Sequence, residues 1–215
     1  HFRIRDEVAS ILGLPISRVK VVPMEIGGGF GGKLRAYVEP IAALLSRKTG
    51  LPVKLTMTRS EVLKATGPTC GSHVKVKMGV GNDGLLTAAR ADLIYESGAY
   101  PGGDAAAQSG VVFTPYHIPN QFGEGFDVVD NKPKTQAYRA PGAPIVAFAV
   151  ESVMDEISKL VGLDPMDLRI LNAAREGDRR ADGVMNARIG AEETMTAVKE
   201  HPHYSEPLYS TVSGK

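Results

Sequence analysis

"HVKVKMGVGNDGLLTAARADLIYESGAY", residues 73–100, decides how this chain folds. Apolar and polar residues alternate from His73, the chain turns at Asn82-Asp83-Gly84, and alternation resumes. A period of two marks half-buried strands, and Asp-Gly between two such runs marks a hairpin. A hairpin in mid-chain means antiparallel sheet, where a doubly wound fold would continue with strand–helix–strand units. The expected class is therefore α+β: mixed sheets with packed helices.

On the N-terminal side, "RDEVASILGLP" carries Val8, Ile11 and Leu12 at helical spacing and stops at Gly13 and Pro15. Val19 to Val22 is an apolar run that predicts a strand. A glycine loop follows. "AYVEPIAALLSRKTG" then predicts a helix with Val38, Ile41, Ala42 and Leu45 on one face, Arg47 and Lys48 in its last turn and Gly50 as C-cap. "PVKLTMT" predicts another strand, so residues 5–58 read as helix, strand, loop, helix, strand. On the C-terminal side, "GEGFDVVDNKP" predicts a strand. A long helix starts at Pro144, with Ile145, Phe148, Ser152, Ile157 and Leu160 on one side and Gly162 as cap. Asp164-Pro165 opens a further helix as N-cap and first residue. "AEETMTAVKE" predicts a short last helix. The expected organisation is 1–60 (the segment with the glycine loop), 61–200 (hairpin, second loop and helices) and 201–215 (a loose polar tail).

Composition sets bounds on function. The 215 residues are 43% hydrophobic and 23% charged, with a net charge of +1. That balance suits a globular chain and provides no electrostatic basis for nucleic acid or an acidic membrane as partner. No apolar run is long enough to span a bilayer. The first residues lack the apolar core of a signal peptide, so a cytoplasmic setting is expected. The chain begins at His1 without an initiator Met and reads as processed or cut from a longer protein. Cys70 is the single cysteine, which excludes an internal disulfide or a cysteine-ligated cluster within these residues.

"EIGGGFGGKL", residues 25–34, satisfies two nucleotide patterns at once. Gly27, Gly29 and Gly32 fit G-x-G-x-x-G, and Gly27, Gly32 and Lys33 fit most of a phosphate-binding P-loop. A strand, then glycines, then a helix is the context that either pattern needs. The P-loop further requires Ser or Thr after the lysine to hold magnesium, and Leu34 stands there. The dinucleotide fingerprint requires an acid at the end of the next strand, which instead runs into "TMTRSE". Arg59 would suit a 2′-phosphate, but Glu61 lies past the strand. A plain turn explains one or two glycines; five around Phe30 point to backbone amides presented to a flat or anionic cofactor. A second unusual stretch is "NKPKTQAYRAPGAP", residues 131–144. Pro141-Gly142 suits a type II turn and holds Tyr138 and Arg139 just ahead of a helix N-terminus, a poor place for a cation unless an anion binds there too.

"GGGFGGK", "RSE", "GAYP", "YHIPN" and "NKPKTQAYRAPGAP", leading into "AFAVESVMDEISKLVGLDPMDLRILNA", together resemble the large molybdopterin-binding subunit of the xanthine dehydrogenase/aldehyde oxidase family. The resemblance covers about residues 3–178. It implies a molybdenum hydroxylase that inserts a water-derived oxygen at a C–H bond, with a glutamate as general base. It implies molybdopterin as cofactor, the cytosine dinucleotide form among its variants. Electrons would leave through iron–sulfur clusters to FAD on partner domains or subunits. By the same resemblance, Gly28, Gly29, Phe30, Gly31 and Gly32 form the loop at the molybdenum centre. Phe30 stands next to the metal, and Tyr138, Arg139 and Ala140 turn backbone toward it. No side chain of this chain is expected to ligate the metal. Leu34 and Pro141 fall in the substrate pocket.

Three departures narrow this. Purine-oxidising members carry Glu where Leu34 stands, and often an aromatic where Pro141 stands. Members that oxidise carbon monoxide carry a cysteine where Ala140 stands. An aldehyde, an N-heterocycle other than a purine, or an aromatic thioester remains as substrate. The family's base glutamate comes from a later glycine-rich motif, so the catalytic residue is expected outside this chain and the 215 residues alone are expected to be inactive. Glu151 and Glu156 read as part of a solvated helix face, and Glu192 and Glu193 as ordinary first-turn acids. His201 and His203 lack a third ligand nearby, His73 starts a strand, and His117 reads as structural. Asp92 and Glu96 share a strand face and suit pairing with Lys or Arg. The rival reading is a non-catalytic module that keeps the fold and binds a nucleotide or a partner.

Overall fold

The structure is a computed structural model and describes residues 1–206. The predicted hairpin is present: β1 (Ser72–Val80) and β2 (Leu86–Gly98) are neighbours in a three-stranded sheet ordered β1-β2-β3, with β3 at Asn120–Val129. The Gly81 amide donates to Leu85 O (2.9 Å) and the Gly84 amide to Gly81 O (3.0 Å). Gly84 has φ 82°, and a Cβ there would meet Leu163 Cδ1 at 2.7 Å. Both features restrict the position to glycine. The buried side chain of Asn172 fastens this turn by accepting from the Leu86 amide (2.8 Å) and donating to Gly84 O (2.9 Å).

β3 runs parallel to β2, because the pairs Thr87–Asn120, Arg90–Glu124 and Ser97–Val128 advance in the same direction. Parallel neighbours need a crossover, and α4 (Ala105–Val111) lies within it. A Cβ on Gly123 or Gly125 would overlap the backbone carbonyls of Ser109 and Ala105, so these glycines let β3 lie directly on α4. The sheet is thus mixed and the class is α+β as expected, but the parallel β2–β3 pair with its crossover departs from the antiparallel sheet that the hairpin led us to expect.

Contacts divide the chain into two compact units: residues 1–72, 95–104 and 127–142 form one, and 73–94, 105–126 and 143 onward form the other. In the first, α1 (Phe2–Leu12) packs on α2 (Glu39–Thr49). Gly13 and Gly50 end these helices in left-handed conformations, φ 63° and 70°. Ile41 and Leu45, expected on the inner face of α2, are exposed, and Pro40 is the buried residue instead. The predicted strands at Val19–Val22 and in "PVKLTMT" do not form. Among the described residues the amides of 20–26 and 53–57 donate to no backbone carbonyl. A strand pattern becomes a strand only where another strand pairs with it. "TMTRSE" is the start of α3 (Arg59–Ala65), which the sequence reading missed. Thr58 and Glu61 form a capping box, with the Thr58 amide donating to Glu61 Oε2 (2.7 Å) and the Glu61 amide to Thr58 Oγ1 (3.3 Å).

The second unit holds α5 (Ala143–Val161), α6 (Pro165–Leu171) and α7 (Ala191–Lys199). Asp164 caps α6 as expected, accepting from the Met166 and Asp167 amides at 2.8 and 3.1 Å. The buried stripe of α5 is Val146, Val150, Met154, Ile157 and Ser158. Of the side expected inside, Ile157 is buried but Phe148 and Leu160 are 78% and 79% exposed, so the buried stripe is rotated from the expected one. Leu86, Leu93, Phe113, Tyr116 and Leu168 join the α5 stripe in the core. Of the segment read as a loose tail, Pro202–Ser205 form a 3-10 turn and the Tyr204 hydroxyl donates to Asp164 Oδ1 (2.8 Å). Residues 207–215 lie outside the described residues.

Candidate functional site

The glycine stretch is a free-standing loop. Its last glycine, Gly32, is followed by Lys33 to Val38 before α2 begins at Glu39. No strand precedes it. Both nucleotide patterns need the loop to run directly into a helix N-terminus, where amides and dipole face the phosphate. That context is absent here. Lys33, the would-be phosphate lysine, donates from Nζ to Ile26 O at 2.8 Å.

Inside the loop, the Gly32 amide donates to Gly29 O (2.8 Å), and Gly27 and Gly31 have φ of 72° and 91°. Phe30 sits at φ 51° with its ring 62% exposed. Among the described residues the amides of Gly27, Gly28, Gly29, Phe30 and Gly31 donate to nothing. A run of unpaired amides in a tight turn is a concave donor surface suited to an anionic or polar group.

The second stretch folds against the first. The Arg139 amide donates to Phe30 O at 2.7 Å. A Cβ on Gly31 would lie 3.0 Å from Ala137 O, closer than a side chain settles without moving its neighbour. Arg139 and Ala140 have φ of 26° and 55°. With Phe30 they are the only non-glycine residues of positive φ among the described residues. Such conformations cost about 1–3 kcal/mol each and collect at functional sites. The three fall in two loops far apart in sequence that share one hydrogen bond. The structure therefore brings Phe30, Gly31, Arg139 and Ala140 together. Tyr138 is 64% exposed beside them.

Leu34 and Pro141 are not gathered into one cavity. Leu34 is exposed, whereas Pro141 lines a polar cavity of about 230 Å³ with Arg35, Cys70, Asp104, Lys134 and Gln136. Burial pushes the Cys70 thiol up, and Asp104, Asp127 and Glu96 push it further, so it stays protonated and is a poor nucleophile. The exit of the glycine loop is held from α1. Glu7 Oε2 accepts from the Ala36 amide (2.8 Å), and Oε1 accepts from Arg35 (2.9 Å) and Arg3 (3.1 Å). Partial burial pushes the Glu7 carboxyl up, but these donors outweigh it and hold it below the ordinary glutamate range. Apart from Arg3 at i,i+4, its partners Arg35 and Ala36 lie 28 and 29 residues away, so the local pattern does not mark Glu7 as a loop tether.

The other acids and histidines have structural partners. Glu151, expected on a solvated face, accepts from the Tyr116 hydroxyl (2.7 Å) and from Arg169 Nε (2.7 Å). The reason is the α5–α6 packing, which brings Arg169 to Glu151 and Asp155 (2.8 Å) together. Burial, and then Glu151, push the Tyr116 hydroxyl well above its ordinary value, so it remains a donor. Asp92 pairs with Arg90 (2.8 Å) and Glu96 with Lys132 (2.5 Å), as their strand positions suggested. His117 Nδ1 lies 2.7 Å from Asp178. Among the described residues no three His, Cys, Asp or Glu side chains are placed to hold a metal ion, and no helix is long and apolar enough to cross a membrane.

Comparison with known proteins places the chain as a whole among molybdopterin-dependent enzymes. The aldehyde oxidoreductase of Desulfovibrio gigas superposes with a TM-score of 0.79 at 28% identity, over 91% of this chain and 22% of that one. Quinoline 2-oxidoreductase of Pseudomonas putida 86 shares the fold with a TM-score of 0.86 at 24% identity, over 93% of this chain and 27% of its own. In sequence, the nicotinate dehydrogenase large molybdopterin subunit of Eubacterium barkeri is 35% identical over 200 residues, 91% of this chain and 47% of the relative. A putative xanthine dehydrogenase molybdenum-binding subunit of Escherichia coli K12 is 37% identical over 179 residues, 81% of this chain and 24% of the relative. The chain thus spans about half the length, or less, of these relatives. The molybdopterin cofactor-binding domain family matches residues 1–173, and the chain belongs to that family.

Proposed function

We propose that this chain supplies the metal-facing loops of a molybdenum hydroxylase that oxidises an aldehyde or a non-purine N-heterocycle. The observation that carries the reading is the pair of strained loops joined by the Arg139–Phe30 hydrogen bond, with five unpaired amides on one of them. These residues fit a molybdopterin: the donors are backbone amides and the surface is open. When bound, that cofactor supplies a molybdenum centre that oxidises a substrate C–H bond with oxygen from water and takes up two electrons.

The chain's own residues orient that group. Gly28, Gly29, Gly31 and Gly32 allow close backbone approach. Phe30 would border the cofactor with its exposed side chain and help to exclude water. Tyr138, Arg139 and Ala140 would contribute to holding the cofactor through their backbone. Leu34 and Pro141 shape the substrate side. An aliphatic at Leu34 offers no carboxylate to pair with a purine, which favours aldehydes and simpler heterocycles. Glu151 is engaged by Tyr116 and Arg169; by the family resemblance the general base comes from a later glycine-rich motif, and the 215-residue chain alone turns nothing over. The cofactor carries a cytosine dinucleotide, electrons pass to iron–sulfur and flavin domains or subunits, and the enzyme works in the cytoplasm.

A chimera tests this. Residues 1–173 replace the matching segment of the Eubacterium barkeri subunit, co-produced with its partners under molybdenum supply. We expect molybdenum and pterin near one per chimera, oxidation of an aldehyde or a pyridine-type heterocycle, and no oxidation of a purine. A folded chimera without molybdenum overturns the reading, as does turnover by the isolated 215 residues.

A further inference from the structure

In the G-x-x-x-x-G-K pattern the lysine reaches out to a phosphate. Here it reaches back: Lys33 Nζ donates to Ile26 O at 2.8 Å, joining the first and last residues around the five glycines. Inside that ring only one backbone hydrogen bond forms, Gly32 N–H to Gly29 O. Outside it, the loop is tied at Phe30 O by the Arg139 amide and, past its exit, at the Ala36 amide by Glu7. Glycine loses more backbone freedom on ordering than any other residue. A loop that leaves its amides from Gly27 to Gly31 unpaired recovers little of that loss through its own hydrogen bonds. The Lys33–Ile26 bond is a charge-assisted tie across its mouth.

We propose that Lys33 is a positioning residue: its ammonium clamps Ile26 to the end of the glycine loop and so holds Phe30 at positive φ with its carbonyl toward Arg139. The clamp acts through the loop backbone and touches no cofactor. Its consequence for cofactor retention rests on the function proposed above, but the clamp itself is a property of these residues alone.

Amide hydrogen exchange on the 215-residue chain tests it, with Gly32 and Arg139 as reporters because each donates a hydrogen bond within the loop pair. In Lys33→Met both should exchange about tenfold faster. Lys33→Arg, which keeps a charged donor, should stay near wild type. The Ala36 amide, held by Glu7, and the melting temperature should not move. Unchanged exchange at Gly32 and Arg139 overturns the proposal. So does acceleration throughout residues 1–72, which would make Lys33 a support of the fold. Placed in the chimera, Lys33→Met should lower molybdenum content with the protein still folded, and unchanged content overturns the consequence for cofactor retention. If the exchange result holds while the wild-type chimera takes up no molybdenum, the clamp stands and the cofactor reading alone fails.

Discussion

Around Arg169 the chain gives its polar groups partners; along Gly27–Gly31 it leaves them open. Arg169 meets Glu151, Asp155 and the carbonyls of Glu151 and Pro165, while Tyr116 donates to the other side of Glu151. Burying charge is costly unless each group is bonded, and this cluster meets that condition. The glycine loop does the reverse, with unpaired amides, an exposed Phe30 and a backbone strained at three non-glycine positions across the two loops. The first arrangement is what a scaffold needs. The second leaves its donors open to solvent or to a bound group, and that is the contrast between the two regions.

The largest expected effect breaks the scaffold side. Arg169→Met leaves Glu151 without its cation, and stability should fall by about 2–3 kcal/mol, below the range for fully buried pairs because Glu151 is 37% exposed. Chemical denaturation measures this. Exchange at Gly32 and Arg139 should not change under native conditions, and acceleration there would break the contrast between scaffold and site. Gly31→Ala acts on the site side. It places a Cβ 3.0 Å from Ala137 O at φ 91°, so stability should drop by only about 1–2 kcal/mol. The Arg139 amide should nevertheless lose its protection, and the chimera its molybdenum. Full molybdenum content in that variant would sink the pairing of the loops as the site's basis.

The smallest effect concerns pH. Glu7 titrates below its ordinary value of 4.5 in the folded chain, so its hold on Ala36 is complete above that pH and is lost as pH falls through the depressed value. The stability advantage of wild type over Glu7→Gln should therefore shrink on acidification from pH 6 to pH 3. An advantage that grows instead would show that Glu7 binds its proton more tightly when folded.

Much of this was legible in the chain itself. Asn82-Asp83-Gly84 between alternating runs marked the hairpin, Asp164-Pro165 marked α6, and Gly13 and Gly50 marked helix ends, because turns and caps depend on residues close in sequence. Thr58-x-x-Glu61 was equally legible as a capping box and passed as the end of a strand because the preceding residues alternate. The inner face of α5 was not legible. Phe148 and Val150 are both apolar, and only the neighbouring elements choose between them. Nor was the engagement of Glu151, whose partners at Tyr116 and Arg169 lie 35 and 18 residues away.

The sequence by itself determined the α+β class, the capped helices and the family, since each rests on local spacing or on an ordered set of motifs. Tertiary structure decided the rest. It chose which strand patterns found partners, leaving Val19–Val22 and "PVKLTMT" unpaired among the described residues. It turned Lys33 from a phosphate ligand into a bond to Ile26. It joined Phe30 to Arg139 across more than a hundred residues. Pairing depends on what lies next to a group in space, and one-dimensional periodicity carries no record of that.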